Sequence, residues 1–188
     1  LASGYDLLLL QRRFGAGFEQ VAHRLTTLQR VGARGLPFFM IRIDRAGQSS
    51  KRYAGASAAP LVEVDSRCPY WAIHAVFDRP GEIIPQLVEL EDGERWFTIN
   101  RTVERFGSGL GGARVLFAIS LGVRAEFAKS LHHARGIDLN GNNAQPVGLG
   151  CPACARASCP QRSAPPRGRP LRLNERERGI SPFDFAVD

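Results

Sequence analysis

Three of the four cysteines in this 188-residue chain are followed directly by proline, and their spacing constrains the fold more than any other feature. They read Cys68-Pro69, Cys151-Pro152-Ala153-Cys154 and Cys159-Pro160. With 12 prolines in 188 residues, chance would place proline after three of four cysteines roughly once in a thousand such chains. Proline after a ligand thiolate removes one backbone N–H and holds the cysteine extended. The bacterial ferredoxin run likewise ends in Cys-Pro. The four are therefore read as ligands of one metal site.

Which metal follows from spacing. There is one C-x2-C, a third cysteine after four intervening residues, and a fourth 83 positions upstream. Three local ligands and one remote ligand is a layout used by iron–sulfur proteins, here a [4Fe-4S] cluster. Structural zinc sites usually arrive as two short knuckles, so zinc ranks second and unrelated structural thiols third. Disulfides remain a formal option, yet nothing signals secretion and a chain of this length buries a core without staples. His74, six residues after Cys68, is an alternative ligand.

The net charge is +7 and the pI about 9.9, which invites a nucleic-acid reading. Of 25 basic residues only Lys51 and Lys129 are lysine. Arginine suits bidentate phosphate contacts and buried ion pairs equally, so charge alone decides nothing. Hydrophobic residues at 44% suffice for a core, and no apolar run approaches a membrane span. The chain does not begin with Met, so it reads as a piece of something longer, and its expected location is the cytoplasm.

Periodicity predicts an amphipathic helix over 16–30 with Phe18, Val21, Ala22, Leu25 and Leu28 on one face. A strand over 37–44 puts Phe39, Ile41 and Ile43 on one side and Arg42 and Asp44 on the other. After the turn 45–48 a strand returns over 49–53, and a small-residue loop follows over 54–59. A short helix is predicted over 70–77, strands over 83–90, 95–103 and 114–122, and a helix over 123–134 with Phe127 and Leu131 inward. From Asn140 the chain is too irregular for regular elements, with Phe183 and Phe185 as docking anchors. The expectation is an α+β fold: a GAF/PAS-like antiparallel sheet with flanking helices and an irregular Cys-rich C-terminal segment. A ligand-sensing domain would span 1–139, and a metal-binding tail packed on it 140–188.

Several motifs fail. Gly107 to Gly112 satisfies G-x-G-x-x-G by spacing, but β-like residues follow where a helix is required, so it reads as a hairpin loop. His132-His133 late in a predicted helix reads as capping, and His23 as a core or surface residue. No nucleophile–base constellation is visible, so no enzyme activity is expected.

Three segments together resemble one family: Phe18 to Arg30 (FEQVAHRLTTLQR), Pro37 to Arg52, and Cys151 to Pro166 with Gly168-Arg169-Pro170-Leu171. Cys68-Pro69-Tyr70-Trp71 fits as well. The chain resembles the C-terminal domain of the bacterial short-chain fatty acyl-CoA regulators, which are helix-turn-helix transcription factors. The resemblance implies a sensor of acyl-CoA that tunes acyl-CoA metabolism, and an iron–sulfur cluster on the matching cysteines. It also implies DNA contact only through an N-terminal domain that this chain lacks; a homo-oligomer is expected besides. For CoA phosphates the candidates are Arg42, Arg45, Lys51 and Arg52. The competing expectation is a zinc-binding nucleic-acid or scaffolding module, supported by the basic tail from Arg156 to Arg172.

Overall fold

A computed structural model describes residues 3–63, 67–106, 114–172, 176, 179, 181 and 183–186. The Gly107–Gly112 motif lies outside the described residues.

Two helices open the chain. α1 (Leu7–Phe14) was not anticipated, although its signals are local: Asp6 accepts from the Leu8 and Leu9 amides, and Gly15 ends it at φ 59°. α2 (Phe18–Thr26) is shorter than the predicted 16–30. Gln20 Oε1 accepts from the Gly17 N–H at 2.8 Å and ties down its start. At its end the hydroxyls of Thr26 and Thr27 donate to the carbonyls of His23 and Arg24. Such back-bonds from β-branched residues compete with continuation of the helix.

The sheet has six strands in the order β2-β1-β5-β4-β3-β6. They are β1 (Phe39–Ile43), β2 (Ser49–Tyr53), β3 (Ile84–Glu89), β4 (Arg95–Phe106), β5 (Arg114–Arg124) and β6 (Gln145–Pro146). Every pairing is antiparallel except β3 with β6. The α+β class and its mainly antiparallel sheet are as expected. Among the described residues three short α-helices follow: α3 (Pro60–Glu63), α4 (Ala72–Ala75) and α5 (Ala125–Ala128).

β1 is buried at every position, because it lies between β2 and β5 and has apolar layers on both faces. One layer joins Phe38, Met40, Phe97, Ile99, Ile119 and Leu121 to α1, α2 and Leu131. The other joins Phe39, Ile41, Trp96 and Ala118 to α3, α4 and Cys68. Arg42 on β1 is buried too, which the alternation did not anticipate.

Two further expectations need correction. The predicted helix over 123–134 begins as strand, since Val123 pairs with Phe97 and Arg124 with Trp96. The long β4 offers ladder partners that outweigh helical periodicity. Only α5 and a single 3₁₀ turn, His132–Ala134, remain helical, though Leu131 is buried as predicted. The segment after Asn140 does join the sheet: β6 pairs with Val88 and Glu89, and the Val147 N–H donates to the Glu89 carbonyl at 3.0 Å. Pro146 is tolerated there because β6 is an edge strand.

Candidate functional site

The cysteine-bearing segment is held by arginine. Arg162, only 5% exposed, donates to the carbonyls of Cys151, Cys154 and Arg156 and stacks 4.8 Å above the Phe185 ring. One buried cation thus closes the loop 151–162 on itself and on the chain end. Arg156 Nη2 donates to the Glu89 carbonyl at 2.8 Å, and the Ala155 N–H donates to Glu91 at 2.6 Å. The loop is therefore fastened to the end of β3. Phe185 is buried as an anchor, whereas Phe183 is half-exposed.

All four thiols are free. Cys68 and Cys154 are buried; Cys151 and Cys159 are half-exposed. Burial pushes the Cys154 thiol up, with Glu91 and Cys68 adding to the rise against the Arg156 amide and Arg162. For Cys151 burial is outweighed by hydrogen bonds from the Ser163 hydroxyl and amide and the Ala164 amide and by Arg162, so its thiol lies below the ordinary value. Among the described residues, no three His, Cys, Asp or Glu side chains stand close enough together to hold a metal ion. The donor chemistry is nonetheless that of a soft metal site. Gly148 adds a cradle, for a Cβ there would meet Cys154 Sγ at 2.8 Å. His74 lies against Gly47 of the β1–β2 turn, and burial lowers its pKa.

The four candidate cations of the hairpin do not form one patch. Arg42 pairs in register with Lys51, and Ile41 with Arg52. Because side chains alternate across a strand, Arg42 and Lys51 face α2, while Arg52 projects from the opposite face. Arg45 stacks 5.3 Å above Phe77, a member of that opposite layer.

Beside α2 a different set assembles. Glu19 receives Arg42 at 2.8 Å, Lys51 at 2.5 Å and Arg105 at 3.2 Å. Burial opposes its ionisation but these cations prevail, so its pKa falls below the ordinary value. Three cations thus meet Glu19 at a groove of about 400 Å³ whose walls include Phe18, His23, Val103 and a second carboxylate, Glu104, itself paired with Arg114. His23 packs against the Tyr53 ring at 4.3 Å. Glu19, His23, Tyr53 and Arg105 were missed as site residues. Arg105 stands 86 positions from Glu19, and no local pattern links them.

The sequence profile of the family described as "Short-chain fatty acyl coenzyme A regulator, C-terminal" matches residues 27–183. The chain belongs to this family. Curated proteins similar to the chain include transcriptional regulators. The chain is 40% identical over 181 residues to the propionyl-CoA carboxylase regulator of Cereibacter sphaeroides, covering 96% of this chain and 39% of that one. It is 38% identical over 182 residues to the HTH-type transcriptional regulator RamB of Mycobacterium tuberculosis, covering 95% and 38%. With the regulator PrpR of the same organism, identity is 39% over 180 residues, covering 95% and 37%. A solved Mycobacterium tuberculosis transcriptional regulator superposes with a TM-score of 0.92 at 38% identity, covering 97% of this chain and 56% of that one. The chain spans about two-fifths of the length of the curated relatives it matches. These relatives are regulators, not enzymes, in agreement with the reading of the sequence. Among the described residues no helix is long and apolar enough to cross a membrane.

Proposed function

We propose that this chain is the ligand-sensing region of a transcriptional regulator of short-chain acyl-CoA metabolism. It binds an acyl-CoA thioester beside α2 and carries an iron–sulfur cluster on Cys68, Cys151, Cys154 and Cys159. The observation that carries the ligand reading is the cation set at this groove, where Arg42, Lys51, Arg105 and Arg114 outnumber Glu19 and Glu104. Lys51 and Arg105 rim a groove whose walls include Phe18 and Val103. That combination meets the two needs of a CoA thioester, charge for phosphate and apolar surface for a short acyl group. The Tyr53 face, 37% exposed beside His23, offers a stacking surface for adenine. Arg42 holds Glu19 in place rather than meeting ligand, and Arg45 and Arg52 take no part. The GAF/PAS-like reading and the division into a sensor over 1–139 and a metal-binding tail over 140–188 belong to the same proposal. So do a homo-oligomeric state, a cytoplasmic location and DNA contact through another region of the regulator. The fold reading and the division are supported by a sheet with helices on both faces and a tail gathered around Arg162.

At the cysteines, a cluster would supply a covalent cross-link between the irregular loop and the sheet core. The chain's own part is to present the donors: Arg162 folds the loop, Gly148 makes room for Cys154, and Arg162 and Ser163 favour the Cys151 thiolate.

Calorimetry with propionyl-CoA and acetyl-CoA tests the ligand. Binding should weaken at least about tenfold in a Lys51→Ala/Arg105→Ala variant; no heat with the unaltered chain sinks the reading. Anaerobic purification with iron, sulfide and zinc analysis tests the metal separately. A brown protein bleached by Cys154→Ser supports the cluster. Stoichiometric zinc without iron replaces it with the zinc reading.

A further inference from the structure

On the far side of α2 lies a second groove, of about 390 Å³, between α1 and α2. Its walls are Tyr5, Leu10, Phe14, Val21, Leu25 and Leu28, with Arg24 at the rim. Phe14 in its wall is 70% exposed, while Leu8 and Leu9, 42% and 39% exposed, lie further round α1. An acyl group of two or three carbons would fill a small part of this groove and leave Phe14 in water. Its extent instead matches a row of side chains from a helix. Contiguous exposed apolar surface of this kind marks an interaction site.

Charge selects the occupant. Between residues 3 and 43 there are six arginines and only two acids, Asp6 and Glu19. Asp6 caps α1, and Glu19 is engaged on the opposite side of α2. The groove thus has exposed Arg24 in its lining and exposed Arg13 one turn after Leu10 on the same side of α1, with no acid lining it. A second copy docking by two-fold symmetry would bring these arginines against their own equivalents. Like charges brought together oppose such an interface. We propose that the α1–α2 groove docks an amphipathic helix whose apolar stripe is flanked by Asp and Glu.

The probe is a synthetic helix of roughly 18 residues with leucine on one face and glutamate flanks, compared with the same helix flanked by lysine. Fluorescence anisotropy with the 188-residue chain should show the glutamate peptide binding at least about tenfold tighter, an advantage that shrinks with salt. Phe14→Ser should weaken it, and Arg13→Glu/Arg24→Glu should reverse the preference toward the lysine peptide. All three positions are exposed, and thermal melting checks that the variants fold. Equal binding of both peptides, or binding of neither, overturns the proposal. So does a dimer, seen by light scattering, that Phe14→Ser dissociates while the glutamate peptide fails to bind.

Discussion

Glu19 and Arg42 form an ion pair at 2.8 Å in which both side chains are almost wholly shielded from water, at 12% and 10% exposure. Arg42 also donates to Ser50 Oγ at 2.8 Å and lies 4.6 Å above the Phe117 ring, so its guanidinium has partners at Nε, at Nη1 and on one face. Such a pair contributes little relative to an apolar replacement, but removing one member strands the other.

Glu19→Ala should therefore destabilise the chain by about 3 kcal/mol, the cost of leaving a buried arginine without its carboxylate. Glu19→Gln should cost less, since an amide oxygen still accepts a hydrogen bond. Urea midpoints measure both. The pH dependence has a definite sign. Glu19 titrates lower folded than unfolded, so the unfolded chain takes up the proton first. The contribution is complete above the ordinary value near 4.5 and is lost as pH falls through the folded value. Between pH 5 and 3 the unaltered chain should lose stability faster than Glu19→Gln; parallel curves would refute the assignment.

The second prediction concerns the anchoring of α1. The Leu7 N–H donates to His133 Nε2 at 3.2 Å, which requires that nitrogen to be unprotonated. Burial lowers the His133 pKa, with Asp6 opposing and His132 adding to the drop. The unfolded histidine thus binds its proton first. Stability from this contact is present above the ordinary value of 6.5 and declines as pH falls from there toward the folded value. Hydrogen exchange of the α1 amides should quicken on going from pH 7 to 5.5, after correction for intrinsic rates. His133→Phe should quicken it already at pH 7 and remove the pH dependence.

A third expectation lies in the centre of the sheet. Gly122 of β5 is paired with Phe39 of β1, and a Cβ at Gly122 would overlap the Phe39 ring. Gly122→Ala should cost about 2 kcal/mol by overpacking, despite alanine's better backbone entropy. A Phe39→Leu change in the same chain should recover part of the loss. A neutral Gly122→Ala in thermal melts would show that the ring shifts freely.

The fourth prediction separates the loop from the sheet. Arg162→Ala removes three hydrogen bonds to carbonyls and the stacking on Phe185. Proteolysis within 151–172 should accelerate, while the β4 and β5 amides keep their protection against exchange. Simultaneous loss of both would mean that loop and sheet unfold together.

Some of this was legible in the sequence. The β1–β2 hairpin was read almost to the residue, because alternation and turn chemistry are properties of neighbouring residues. The family was legible in the segment from Phe18 to Arg30 and in the cysteine spacing. α1 also carries local signals, with Asp6 and Gly15 as caps on either side of a short apolar run. The strand end at Arg124 was not readable, since what keeps Val123 extended is its pairing with Phe97.

By itself, then, the chain's order of residues determined the thiol inventory, the hairpin and the kinship, all of which rest on short-range spacing. The tertiary structure alone decided how the charges are used. Spacing put Arg42, Arg45, Lys51 and Arg52 in one hairpin, but strand register sent them to two faces of the sheet. It also brought Arg105 from 86 positions away onto Glu19. A side chain's direction is set by a two-residue period, whereas its partner depends on which strands pair and in what register. That pairing is resolved only when the whole sheet is assembled around its buried core.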